Sequence, residues 1–168
     1  MANHPGLRPV RVDLPRQKSA GRPRSVSRRK FPTSRVAGGL LQAIYKAFRE
    51  KRLADTISHL ADDFSLVVHL PDDALPGGDR PRSKAEAALL FQGFINDYDF
   101  LAYDQGPIIV TGDHATSQPQ IRYRHKKTGK VMETRLNHTW HVKDGKARAL
   151  DEHHDVARVQ AFMKSLRE

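Results

Sequence analysis

The stretch "TWHVKDGKARALDEHHD", Thr139 to Asp155, sets how the rest of the chain is read. Trp140 and Val142 alternate with Thr139, His141 and Lys143, the period of two expected of a strand with one apolar face. Asp144-Gly145 is the signature of a tight hairpin turn, and "KARALDEHH" returns as the partner strand. Asp155 is a residue type favoured at helix caps, and Val156, Val159, Phe162, Met163 and Leu166 follow it at helical spacing. A hairpin therefore runs directly into an amphipathic helix. It carries five titratable side chains within the seven residues "ALDEHHD", Ala149 to Asp155.

Working outward, strand-like stretches precede this hairpin around Phe100 to Val110, Ala115 to His125 and Val131 to Val142, with "KTGK" marking one turn. Pro119 demands an edge or a bulge in its strand. Further upstream, Leu40, Leu41, Ile44, Tyr45 and Phe48 recur at helical spacing, and Leu53, Ile57 and Leu60 predict a second, shorter helix. "FSLVVHL", Phe64 to Leu70, is β-branched and apolar and predicts a strand that Pro71 ends. After the loop "PDDALPGGDRP", Ser83 is placed to cap a third helix through Ala85, Leu89 and Phe94. Helices first and then an antiparallel meander predict an α+β domain, a curved sheet wrapped around three N-terminal helices with a helix at the C-terminus.

The chain has 168 residues, no cysteine and 7% aromatic residues, which suits one domain without disulfides or a cysteine-based zinc site. The formal charge of +10 is concentrated: residues 1–35 hold ten Lys and Arg and one acid, against nineteen basic and eighteen acidic residues in 36–168. Rich in Arg, Pro, Ser and Gly, that tail is expected to be disordered, because it cannot bury enough apolar surface to offset its ordering entropy. "SRRKF" within it resembles a twin-arginine signal, but Arg35 interrupts the apolar region that export requires. The tail's charge predicts no more than weak, salt-sensitive contacts with nucleic acid. No apolar run is long enough to span a bilayer, and a cytoplasmic protein without membrane attachment is expected.

The order of these elements resembles the nuclear transport factor 2-like superfamily, and within it the SnoaL-like proteins and ketosteroid isomerases. "LADTISHLADDFSLVVHLP" (Leu53 to Pro71) is similar to the family's second helix, Asp-Asp pair and first strand. "RPRSKAEAALLF" (Arg80 to Phe91) is similar to the approach to its third helix, and "TWHVKDGKARALDEHHD" to its last hairpin. Over residues 36–168 the resemblance implies a cone with an apolar interior that holds a small molecule. It also implies chemistry ranging from isomerase, cyclase, hydrolase and dehydratase activity to binding alone, and a homodimer. The fold by itself does not choose among these.

With Trp140 and Val142 pointing into the cone, His138 points in as well. The resemblance places His138 where ketosteroid isomerases carry an acid that donates to the developing enolate. The family's helix-one tyrosine falls on Ile44, with Tyr45 one residue on, and its first-strand aspartate falls near His69 or Leu70, so steroid-type isomerisation is not expected. In "ALDEHHD", alternation puts Asp151, His153 and Asp155 on one face and Glu152 and His154 on the other. Asp151 and His153, about 6.6 Å apart along a strand, suit an acid/base pair. They suit a metal less well, since the outer residues of the face are about 13 Å apart. Asp155 reads either as a helix cap or, through the resemblance, as an acid/base group. In "QIRYRHK" the aromatic face is expected inward and Arg122 and Arg124 in water.

The resulting expectation is a pocket for a small apolar or carbonyl-bearing metabolite, with cofactor-free and metal-free acid/base chemistry. His153 or Asp155 would move the proton, Asp151 would orient His153, His138 would donate to an oxyanion, and Tyr45, Trp140, Tyr123 and Leu70 would form the wall. The alternative is a non-catalytic ligand-binding or dimerisation module that uses the outer face of the sheet.

Overall fold

The computed structural model describes residues 33–168. The basic tail expected over residues 1–35 lies outside the described residues as far as 32, and residues 33–35 form the first turn of a helix rather than part of a tail.

That helix, α1 (Thr33–Arg49), buries Ala37, Leu41, Ile44 and Tyr45 on one face. Lys46 and Arg49 in its last turn complement the negative end of its dipole. After α2 (Leu53–Ser58) comes β1 (Leu60–His69), which starts four residues earlier than the apolar run Phe64 to Leu70 predicts, because "LADD" is already extended. A two-residue strand, β2 (Arg82–Ser83), leads into α3 (Lys84–Asp97). Ser83 caps α3 as expected: its side chain accepts from the Glu86 backbone while the Ser83 N–H donates to the Glu86 carboxylate at 2.8 Å, a complete capping box.

The remaining strands are β3 (Tyr98–Asp104), β4 (Ile109–Thr111), β5 (His114–Ser117), β6 (Gln120–His125), β7 (Val131–Arg135), β8 (Asn137–Lys143) and β9 (Lys146–His153), followed by α4 (Val156–Ser165). Two sheets form, one in the order β2-β1-β9-β8-β5-β4 and one in the order β3-β6-β7. The expected α+β architecture with a curved sheet between N- and C-terminal helices is the one observed. Its pairs are antiparallel except one: β1 and β9, from opposite ends of the domain, lie parallel at the centre of the larger sheet. No hairpin joins them, so the direction of the pair is free of the constraint that a short turn imposes.

Curvature comes from two corners. The stretches Ala115 to His125 and Val131 to Val142, each expected as one strand, are interrupted at Gln118-Pro119 and at Leu136. Pro119 has no N–H for the ladder, and its carbonyl accepts from the Leu136 N–H at 2.9 Å, which ties the two corners together. The run Phe100 to Val110 likewise divides between the two sheets as β3 and β4.

In the last hairpin Asp144 and Gly145 both adopt positive φ, 53° and 72°, the left-handed pair that a two-residue turn needs. Arg148 then sits in a bulge: Val142 pairs with Ala147, but His141 pairs with Ala149. The shift brings Leu150 opposite Trp140 and Glu152 opposite His138.

Candidate active site

The concave faces of the sheets and the inner sides of α1, α3 and α4 enclose a cavity of about 390 Å³. Its walls are largely apolar, with Ile44, Phe48, Phe94, Ile121, Leu136 and Met163 among them. All four residues expected to shape the wall, Tyr45, Trp140, Tyr123 and Leu70, line it. Ile121 and Tyr123 face in while Arg122 and Arg124 face water, and Arg124 pairs with Asp99 at 3.1 Å.

One region of this wall is polar. The Tyr45 hydroxyl lies 2.5 Å from Ser117 Oγ and 2.7 Å from His138 Nδ1, and it accepts from Trp140 Nε1 at 2.8 Å. Burial pushes the Tyr45 phenol up to about 12, more than its partners lower it, so the hydroxyl keeps its proton. On the other edge of the His138 ring, Nε2 stands 2.9 Å from Glu152 Oε2, off the line of a full hydrogen bond but at charge-pairing distance. The second oxygen of Glu152 lies 2.7 Å from His154 Nε2. Burial alone would raise the Glu152 carboxyl, but the two imidazoles outweigh it and hold the group well below the ordinary carboxylate range.

The hydrogen positions follow from this charge. An ionised carboxylate only accepts, so His154 presents Nε2–H to Glu152, and in the neutral ring this leaves the lone pair on Nδ1. His154 Nδ1 is buried and has no protein partner. The chain Trp140, Tyr45, His138, Glu152, His154 therefore ends in an unused imidazole nitrogen on a ring that lines the cavity.

Of the residues expected to carry chemistry, only His138 is in the cavity, 4% exposed. Asp151 and His153 share the outer face of β9, and Asp155 lies beyond the end of that strand. His153 stacks on His69 with ring centroids 3.9 Å apart, and Asp151 lies 3.3 Å from His69 Nε2 rather than against His153. Asp155 is the cap of α4, accepting from the Arg158 N–H at 3.1 Å, with 57% of its side chain exposed. The Arg148 bulge sets this orientation. Uninterrupted alternation from Ala147, which faces in, would turn Asp151 and His153 inward beside His138; one extra residue turns Glu152 and His154 inward instead. Leu150, apolar and two residues before Glu152, is the sequence signal for the inward face. Ser117, which joins this polar region through Tyr45, carries no local sequence signal. Among the described residues no group of three or more His, Cys, Asp or Glu is arranged to hold a metal ion, and no helix is long and apolar enough to cross a membrane.

A mixed, curved sheet folded with its helices around an apolar cavity is the architecture of the nuclear transport factor 2-like class. A SnoaL-like domain model matches residues 41–150, and the chain belongs to the SnoaL-like family. No curated protein sequence matches it. Among solved structures it is similar to an LEH-like epoxide hydrolase of M. tuberculosis, at 14% identity over 80% of this chain and 93% of that one, with a TM-score of 0.63. It is also similar to IdmH, a proposed polyketide cyclase of Streptomyces antibioticus, at 21% identity over 75% and 96% with a TM-score of 0.62. A proposed isomerase of Rhodopseudomonas palustris aligns at 16% identity over 76% and 96% with a TM-score of 0.64. At such identities the likeness is one of fold.

Proposed function

We propose that the cavity binds a small, mostly apolar metabolite bearing a carbonyl or comparable electrophilic oxygen, and that the protein moves a proton on it without a cofactor. The observation that carries this reading is the Glu152–His154 pair, in which the carboxylate fixes the ring so that a buried nitrogen with no protein partner is left on a side chain that lines the cavity.

His154 Nδ1 accepts a proton from the carbon beside the carbonyl, and Glu152 balances the imidazolium that results. His138 Nε2, whose contact with Glu152 is misaligned, donates to the oxygen on which negative charge develops. The Tyr45 hydroxyl holds the His138 ring through Nδ1 and keeps Nε2 as the donor. The sequence assigned the proton transfer to His153 or Asp155, the charge balance to Asp151 and the donor role to His138; here the first passes to His154 and the second to Glu152. The apolar walls lower the local dielectric and strengthen each of these interactions. The isomerase, cyclase and hydrolase descriptions of proteins sharing the fold are compatible with proton transfer at such a site.

The test is exchange of the protons beside the carbonyl of small ketones incubated with the protein in D2O, followed by mass spectrometry. The wild type is expected to accelerate exchange, and His154→Asn and Glu152→Gln each to remove about 100-fold or more of that acceleration. Ketone binding without exchange, unchanged in both variants, would instead identify a non-catalytic binding module.

A further inference from the structure

Polarity changes along the cavity. Its hydrogen-bonding groups, Tyr45, His138 and Glu152, stand on α1, β8 and β9, and the first two are almost wholly buried. Other lining residues reach the surface, and there the cavity opens to water: Leu75 and Pro76 in the loop after β1, Leu89 and Gly93 on α3, and Met163 on α4. None of these five carries a charge. Leu89 is 74% exposed although it lines the cavity. Gly93, four residues further along the same side of α3, lines it too, and a Cβ there would meet open space. Glycine in mid-helix destabilises relative to alanine, and no neighbouring atom requires it at this position. The volume of about 390 Å³ lies near the lower end of the range of about 300–1,000 Å³ usual for small-molecule sites.

We infer that the ligand is longer than the cavity: a neutral carbonyl head lies at the buried polar groups, and a straight apolar chain leaves through the mouth, over Gly93 and onto Leu89. Glycine at position 93 leaves the room through which the chain passes, and the leucine gives it an apolar surface outside. The substrate class is therefore a long-chain carbonyl compound bound head inward. A neutral head is required because the ionised Glu152 carboxylate beside His138 repels an anion. The chain of a ligand, rather than an anionic lipid surface, is the occupant of the rim, because Leu89 and Gly93 are continuous with the cavity and the exposed acids Asp73 and Asp97 stand close to them or to the neighbouring loop. The inference deepens the reading of the cavity as a small-molecule site and rests on it.

Trp140 is the only tryptophan of the chain and lines the cavity, so its fluorescence reports binding there. The experiment titrates methyl ketones from 2-hexanone to 2-dodecanone into wild type, Leu89→Gln and Gly93→Leu, with light scattering to give the mass of each protein. Wild-type affinity is expected to rise about threefold to fourfold with each methylene across the whole series. Both variants should bind 2-hexanone as wild type does, but should gain at least about tenfold less than wild type between 2-octanone and 2-dodecanone. Wild-type affinity that stops rising within the series, or that rises equally in all three proteins, overturns the inference and leaves the cavity reading standing. A lower mass for Leu89→Gln with an unchanged ketone series makes the rim an interface between copies of the chain and also overturns it. No response of Trp140 to any ketone overturns both.

Discussion

Glu152 holds two histidines at once, and each of its oxygens has its own imidazole. A carboxylate so placed is a strong organiser, because it fixes which nitrogen of each ring carries the proton. Tyr45 does the corresponding work on the far side of His138, where its single hydroxyl serves Ser117, His138 and Trp140 together. Tyr45→Phe should therefore cost about 2–3 kcal/mol of stability in denaturant unfolding, since it leaves buried donors with no acceptor. It should also slow any ketone exchange by freeing the His138 ring. The outer His69–His153 stack with Asp151 shows how a similar set of residue types, one position away in a strand, ends in solvent contact.

At the level of elements, β9 is decisive. Its central place between β1 and β8 fixes its position, and the Arg148 bulge fixes its parity. Helix α3 carries a different feature. Gly93 lines the cavity in mid-helix, and a Cβ there would meet nothing within 4 Å. Neither packing nor helix formation calls for glycine, which is a poor helix former. Gly93→Ala is expected to raise stability by about 0.5–1 kcal/mol in urea unfolding. Loss of stability in that variant would show that the helix needs the glycine for close packing.

At the scale of the whole molecule, buried charge and stability are linked. The folded state holds the Glu152 carboxyl below its ordinary value of 4.5. Its stabilising contribution is therefore fully present above about pH 4.5 and is lost as pH falls through the folded-state value. Glu152→Gln should be less stable than wild type by about 2 kcal/mol near neutral pH, the worth of hydrogen bonds to a charged group, and the melting curves of the two proteins should converge on acidification. Parallel curves across that range would show that Glu152 has no linkage to the fold. While it left Asp155 open between a cap and an acid/base group, local pattern was enough to determine the α+β class, the Ser83 cap, the Asp144-Gly145 turn, an irregularity at Pro119 and the inward faces of His138, Trp140, Ile121 and Tyr123. Each of these depends on residues within a few positions of one another. Tertiary structure alone decided the parallel pairing of β1 with β9 and the choice of Glu152 and His154 over Asp151 and His153. A bulge inverts every residue beyond it, and its position is set by which side chains pack across the hairpin, Leu150 against Trp140 and Glu152 against His138, a condition that reading one strand at a time does not contain.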